Sequence, residues 1–367
     1  MLTSKRPLEI LAWPARKKRE LNPYGALLYD HVEALGVRIH EWTPVRALLK
    51  RFDIWHLHFP DAVLAPQSPV KSLLGVVAFR ILLLVARLRG TRILWSVHDL
   101  GSVDQLHPRL ESWFWSYFSP RVDATIYLSE TARLLTEHRF PELQGRRFCK
   151  IPHGQYRDAY PDEISATEAR RHLGLPEAAT VILYFGRIRF YKDVPHLIRT
   201  FCALDRVDLW LLIVGQPFSA QIEEEVRSAA RGNDRVRLAL EVVPAKQVQI
   251  FFKAADLVVL PYRRILHSGT AMLALGFNRP VLVPDLGSMR EHQTLLGSSW
   301  IRLYTGTLNP ELLTDAIDWA THASRPSRCD LSAFDWKSIA AQTRAVYDDL
   351  AGPGPRFTRT LRSWGAG

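Results

Sequence analysis

The chain has 367 residues, of which 47% are hydrophobic and 23% charged, a balance that excludes disordered and fibrous classes and predicts two cores rather than one. A formal net charge of +11 favours anionic partners: nucleic acid, phosphorylated substrates or an anionic membrane surface. The three cysteines, Cys149, Cys202 and Cys329, have neither paired nor metal-ligand spacing, which argues for free thiols over a disulfide framework or a zinc site.

Short apolar runs bounded by Gly, Pro, Asp and His alternate with helical patterns. In chain order the first series is a strand over 8–13, a helix over 25–35, a strand over 54–58, a helix over 70–88, a strand over 92–97, a helix over 108–118 and a strand over 124–128. The opening run is short and lacks a cleavage site, so it reads as a first strand and not a signal peptide. The second series has strands over 181–185, 209–214, 236–240, 257–260, 281–283 and 300–304, with helices over 194–203, 220–230, 245–254 and 310–321. Continuous Val/Ile/Leu runs suit strands buried on both faces, and the repeated strand–helix–strand order predicts parallel, doubly wound sheets. The series separate near 156–170. The expectation is an α/β chain of two Rossmann-like domains, the first over 1–160 and the second over 161–330. A C-terminal helix over 331–350, with a return to the first domain as one route, and a flexible basic tail over 351–367 follow. Two such domains are expected to leave a ligand cleft at the carboxyl ends of their strands.

The segment 71–90, KSLLGVVAFRILLLVARLRG, reads differently from the other helices. Its apolar core of about 16 residues is shorter than the roughly 20 a membrane span needs. Arg80 lies in its middle, at a cost of about 2.5–3.5 kcal/mol on insertion. Arg80 and Arg87, seven apart, share one helical face and leave a broad apolar face opposite. The favoured reading is a helix in the membrane interface with its arginines on phosphate headgroups. A helix packed on the first sheet is the competing reading, and a true span the least favoured.

Gly186-Arg187 stands directly behind the run 181–185, with Lys192 five residues after the arginine. Further on come Leu260-Pro261-Tyr262, then His267-Ser268-Gly269-Thr270 opening a helical pattern, then Arg279-Pro280-Val281 entering a strand. Two cations past a strand end and one helix N-terminus are what holds a diphosphate that departs as a leaving group. Gly186 lets backbone approach the ligand. Ser268 and Thr270 suit a helix start, and Gly269 leaves its N–H groups unhindered. Tyr262 and His267 belong to the same set, and Glu291 is a candidate acceptor of hydrogen bonds from ribose hydroxyls. Any one of these alone is an ordinary surface feature; their joint occurrence points to transfer of a sugar from a nucleotide diphosphate.

In the first half, His56 and His58 alternate on a strand and so share a face. His98-Asp99 ends the next strand and His153-Gly154 lies near the junction. These histidines, with Asn22 and Tyr24 in the loop after the first strand, are the candidate acceptor pocket. His-x-His has no third ligand at a recognisable spacing, so a metal site is not expected. Inverting transfer needs one general base on the acceptor side, and Asp61, His98 and Asp99 are the candidates.

Taken together, these motifs resemble those of the GT-B glycosyltransferases over nearly the whole chain. The similarity is nearer to the xanthan-type GDP-mannose:glycolipid β-mannosyltransferases, through Asn22-Pro23-Tyr24, His56-Leu57-His58-Phe59-Pro60, His98, His153-Gly154, Tyr156-Arg157-Asp158 and Tyr191-Lys192. The resemblance implies a nucleotide-sugar co-substrate without a further cofactor or divalent metal, and a lipid-linked saccharide acceptor. It also implies exopolysaccharide synthesis at the cytoplasmic face of the membrane, as a peripheral or monotopic protein. The large retaining GT-B family carries two glutamates eight positions apart ahead of the Pro-Val pair; here Ile265 and Leu273 stand there, which implies inversion. The same resemblance ranks Asp61 and His98 above Asp99, where similar enzymes tolerate an amide. The alternatives are a donor such as UDP-glucose or UDP-galactose on the same fold and, more remotely, a polyanion-binding non-enzyme. The latter lacks a basic stripe with aromatics or any nucleic-acid motif, so nucleic acid is not expected as a partner.

Overall fold

The computed structural model describes residues 6–17, 19–101 and 106–352. From residue 353 onward the expected tail lies outside the described residues. The chain forms two compact units, Met1–Gly154 with Phe334–Gly367, and Gln155–Ala333. The split thus falls ahead of the boundary expected after residue 160.

The first unit is a parallel six-stranded sheet ordered β2-β1-β3-β4-β5-β6. Its strands are β1 (Glu9–Trp13), β2 (Arg38–Glu41), β3 (Ile54–Leu57), β4 (Arg92–Val97), β5 (Ala124–Tyr127) and β6 (Arg147–Lys150). The helices α1 (Tyr24–Glu33), α2 (Pro44–Leu49), α3 (Pro69–Leu88), α4 (Pro108–Phe118) and α5 (Glu130–Arg139) cover it. The inner strands β3 and β5 are buried at every position, His56 and Thr125 included. β2 and β6 were not expected: they are the sheet edges, and Arg38, Arg147 and Lys150 interrupt any apolar run in them, with Arg38, Phe148 and Lys150 exposed.

The second unit is a parallel sheet ordered β12-β11-β10-β7-β8-β9. It comprises β7 (Thr180–Phe185), β8 (Leu209–Val214), β9 (Val236–Ala239), β10 (Leu257–Val259), β11 (Val281–Pro284) and β12 (Ile301–Tyr304). Its helices are α6 (Ala166–His172), α7 (Val194–Cys202), α8 (Ala220–Ala230), α9 (Ala245–Ala254), α10 (Gly269–Gly276), α11 (Met289–Leu296) and α12 (Pro310–His322). The last helix, α13 (Trp336–Ala351), belongs to the first unit and packs on α1. Gly154 allows this: a Cβ there would overlap the Trp336 indole.

The helix α3 corrects one expectation. Arg80 and Arg87 do share a face, but that face is turned onto the protein. The Arg80 guanidinium stacks at 3.9 Å from the Trp113 ring and 4.1 Å from that of Tyr117. Arg87 Nη1 donates to Asp123 Oδ2 at 2.9 Å and to the Arg121 carbonyl at 3.0 Å. Neither arginine is directed to headgroups. The outer face is apolar, with Leu73, Leu74, Val77, Ile81, Leu84 and Leu88 all exposed. At 20 residues, α3 is also long and apolar enough to cross a membrane by length and composition, longer than the core read from the sequence.

Candidate active site

Open α/β sheets bind ligands beyond the carboxyl ends of their strands, at the point where strand order reverses. In the second unit that point lies between β7 and β10. Gly186 leaves β7 at φ +118°, a backbone conformation that L side chains rarely adopt. A Cβ there would sit 3.2 Å from Thr270 Oγ1 and 3.6 Å from Lys192 Nζ, so an ammonium and a hydroxyl converge on a bare backbone. Gly215, at φ +138° after β8, backs onto the same peptide: its Cβ would overlap the Gly186 carbonyl oxygen.

Lys192 Nζ stands 5.1 Å from the Tyr262 ring centroid, on the loop after β10. The next residue, Asp193, is left-handed at φ 52° and is gripped by Arg263, Nε to Oδ2 at 2.6 Å and Nη2 to Oδ1 at 2.8 Å. Arg263 also donates its backbone N–H to the Tyr191 carbonyl at 2.8 Å. This clamp ties the Lys192 turn to the Tyr262 loop and holds the ammonium in place before a ligand arrives.

The helix α10 begins at the same spot. Ser268 caps it, its Oγ accepting the Ala271 N–H at 3.1 Å, which leaves the N–H groups of Gly269 and Thr270 without intrahelical acceptors. His267 Nδ1 lies 3.1 Å from Ser288 Oγ, and Ser288 N–H donates to the Leu266 carbonyl at 3.0 Å. These bonds stitch the His267 loop to the start of α11, whose first turn holds the half-buried Glu291. Arg187 is exposed, with its guanidinium 5.4 Å from the Phe218 ring. Gly186, Lys192, Tyr262 and Thr270 therefore form one cluster, Ser268 and Gly269 supply the helix start, and Arg187 lies on the β8 side.

In the first unit strand order reverses between β1 and β3. Tyr24, reached from β1, opens α1. It is buried, edge-on to His98 at 4.8 Å and to Trp336 at 5.4 Å, and tilted on His153 at 4.7 Å. Asn22 is exposed, and its Oδ1 accepts the Tyr24 N–H at 3.1 Å to form the turn. His56 and His58 share a face, with ring centroids 4.4 Å apart, but both are fully buried and all four of their ring nitrogens are engaged. His56 meets Tyr347 and Ser96, each at 2.7 Å; His58 meets Tyr29 at 2.6 Å and His98 at 2.9 Å. Direct acceptor contact, expected of both, is corrected: they hold up His98 instead.

Burial holds the His56 imidazole at about 3 and pushes His58 and His98 well below the ordinary range, neighbouring histidines adding to each. His153, its Nδ1 2.8 Å from the Gly154 carbonyl, is held at about 4, mainly by burial. These rings are neutral at physiological pH and serve as hydrogen-bonding groups. Asp61, in the first turn of the 3₁₀ helix Pro60–Leu64, goes the other way. Burial raises its carboxyl to about 6, its own backbone N–H opposing and the Glu111 carboxylate adding to the rise. A carboxylate poised there suits a general base, which puts Asp61 ahead of His98; Asp99 is half-buried beside His98.

Sequence reasoning missed Gly215, Asp193, Arg263 and Glu111. A second glycine at a strand end was a usable signal for Gly215. Glu111, buried on α4 and bonded to Arg139 at 3.3 Å, is one acid in a mixed helix and carries no mark. Among the described residues, no three or more His, Cys, Asp or Glu side chains are grouped to hold a metal ion.

The model for the family glycosyl transferases group 1 matches residues 165–328. Over 331 residues the chain is 30% identical to the GDP-mannose:glycolipid 4-beta-D-mannosyltransferase of Xanthomonas campestris pv. campestris, covering 90% of this chain and 89% of that one. The chain belongs to the GT-B glycosyltransferases. The fold of this glycosyltransferase is shared with a sucrose-phosphate synthase from Thermosynechococcus elongatus (TM-score 0.69, 16% identity, 94% of this chain and 99% of that one). It is also shared with Anabaena Alr3699/HepE, solved with UDP-glucose (TM-score 0.61, 14% identity, 93% and 97%).

For this glycosyltransferase, Asp61→Asn should lower kcat by about 10²–10⁴-fold without lowering the melting temperature at pH 8. The folded pKa of about 6 lies above the reference 3.8. Stability tied to the protonated carboxyl is thus complete below 3.8 and lost as pH rises through 6. Melting curves at pH 5 and pH 8 should show the variant gaining on the wild type at the higher pH. A wild type that keeps its full margin at pH 8 would contradict the raised pKa.

Proposed function

We propose that this glycosyltransferase moves mannose from GDP-mannose, with inversion, onto a lipid-linked oligosaccharide in exopolysaccharide synthesis. The observation that carries the diphosphate part is the convergence of Lys192 and Thr270 on Gly186 at the start of α10. Guanosine, mannose and a glycolipid acceptor are suggested by the printed activity of the Xanthomonas relative. Asp61 takes the proton of an acceptor hydroxyl as its oxygen attacks the anomeric carbon. The bond from that carbon to the phosphate oxygen breaks, and the charge left on GDP is met by Lys192, Arg187 and the α10 N–H groups. This needs no divalent metal. Support for inversion comes from Ile265 and Leu273, apolar residues where the retaining enzymes carry glutamates; Leu273 is buried in α10.

The enzyme is proposed to work on the cytoplasmic face of the membrane, as a peripheral or monotopic protein. The exposed apolar stripe of α3 supports this, and so does α2, which packs on α3 and exposes Val45, Leu48 and Leu49. Arg46, Lys50, Lys71 and Arg89 are exposed on or beside these helices, and no Asp or Glu occurs between Ala62 and His98. An apolar face flanked by these cations suits an anionic lipid surface.

In a thermal-shift panel of GDP, UDP and ADP, GDP should raise the melting temperature most. Arg187→Ala with Lys192→Ala should abolish the shift; near wild-type transfer by that double variant at saturating donor would remove the mechanism, and a larger shift with UDP would replace the donor. Leu74→Glu with Ile81→Glu should release the enzyme from phosphatidylglycerol vesicles in co-sedimentation while GDP affinity stays unchanged. Undiminished sedimentation would exclude α3 as the membrane contact.

A further inference from the structure

Beyond Gly186 and Gly215 the segments that leave β7 and β8 stay paired. Ile188 N–H donates to the Gln216 carbonyl at 3.0 Å, and Phe218 N–H donates to the Ile188 carbonyl at 2.9 Å, around a parallel bridge between Ile188 and Pro217. Ile188 is fully buried, and Arg189 has extended backbone. Extended chain sends alternate side chains to opposite faces, so Arg187 and Arg189 share the face away from Ile188. That face meets one ring. The Arg187 guanidinium stands 5.4 Å and that of Arg189 4.6 Å from the centre of Phe218, both within the reach of about 6 Å over which a ring attracts a cation. The ring is anchored on both sides: its own N–H is in the ladder, and the next residue, Ser219, caps α8 by accepting the Ile222 N–H at 3.4 Å.

Two guanidiniums gathered on one ring repel each other, and a multiply charged anion relieves that repulsion. They are also long side chains, and one laid flat on an anchored ring has lost its rotamer freedom before a ligand arrives. We infer that Arg189 is a second guanidinium for the diphosphate beside Arg187, and that Phe218 is the positioning residue that holds the pair. Each guanidinium presents a planar fork of N–H donors that fits two phosphate oxygens, whereas the Lys192 ammonium is a point charge without a preferred plane. The pair thus fixes the orientation of the diphosphate, while Lys192 and the α10 N–H groups supply further positive charge from the other side of Gly186. The nature of the anion rests on the proposed transfer; the stacking of the two arginines on Phe218 does not.

The test is calorimetric titration of inorganic pyrophosphate, GDP and guanosine into the full-length protein. Arg189→Ala should weaken pyrophosphate and GDP about tenfold or more, and Phe218→Leu about five- to thirtyfold, with guanosine affinity unchanged. Phe218→Met carries the second arm should Phe218→Leu not fold, and Phe218→Tyr, which keeps a ring face, should bind as the wild type does. Because Phe218 acts through the arginines, Phe218→Leu added to Arg187→Ala with Arg189→Ala should cost nothing further. A full additional loss in that background, or a lower melting temperature with pyrophosphate affinity unchanged, marks a merely structural ring and overturns the inference. Equal losses for guanosine and GDP would make Phe218 a nucleobase platform and overturn it too. A wild type that binds pyrophosphate and GDP and ignores the Arg189 and Phe218 variants dismisses the pair alone. Binding of pyrophosphate but not GDP, lost in those variants, upholds the pair and dismisses the proposed donor; binding of neither dismisses both.

Discussion

A departing diphosphate must meet positive charge that is already in place, because groups that reorganise during the reaction give back much of what they gain. In the proposed transfer, the second unit meets that constraint with backbone as much as with side chains. Gly186 and Gly215 leave adjacent strands at positive φ; a Cβ at Gly215 would overlap the Gly186 carbonyl, and one at Gly186 would crowd Thr270. Lys192 reaches Gly186 from a turn fixed by Asp193 and Arg263, and α10 brings its unpaired N–H groups to the same place. The strand order reverses there, so two chain segments far apart in sequence arrive at one point.

The first unit solves the opposite problem. Burial raises the Asp61 carboxyl, and in the same unit burial keeps the His56 and His98 imidazoles neutral. In the proposed transfer, a neutral His98 leaves the proton of the acceptor hydroxyl to Asp61. The cost of burying so many polar atoms is offset by bonding them to one another, and α13 supplies the hydroxyl that completes the set. A helix from the far end of the chain is thereby part of the polar core of the first unit.

How much of this could be read beforehand depended on the range of the interaction. Strands such as β7 and β8 announce themselves because burial on both faces forces continuous apolar runs. The edge strands β2 and β6 do not, since only one side of each is paired. The cluster at Gly186 was legible because Gly186, Lys192 and the Ser268–Thr270 start are local signals. The Asp193–Arg263 clamp, 70 positions apart, was not. Alternation placed His56 and His58 on one face correctly, yet could not show that Tyr347, 291 positions away, would take up a ring nitrogen and close them off from ligand. The same holds for α3: helical period puts Arg80 and Arg87 together, but Trp113 and Tyr117 on another helix decide which way they turn.

The central claim is that the second unit grips the diphosphate and not merely the nucleoside. Calorimetric titration of guanosine, GMP and GDP into the same protein tests it most directly. The account predicts that GDP binds tenfold or more tighter than GMP, about 1.4 kcal/mol or more, and that Gly186→Ala removes this margin while leaving GMP affinity in place. Equal affinity for GMP and GDP, or a margin that survives a side chain at Gly186, would contradict it.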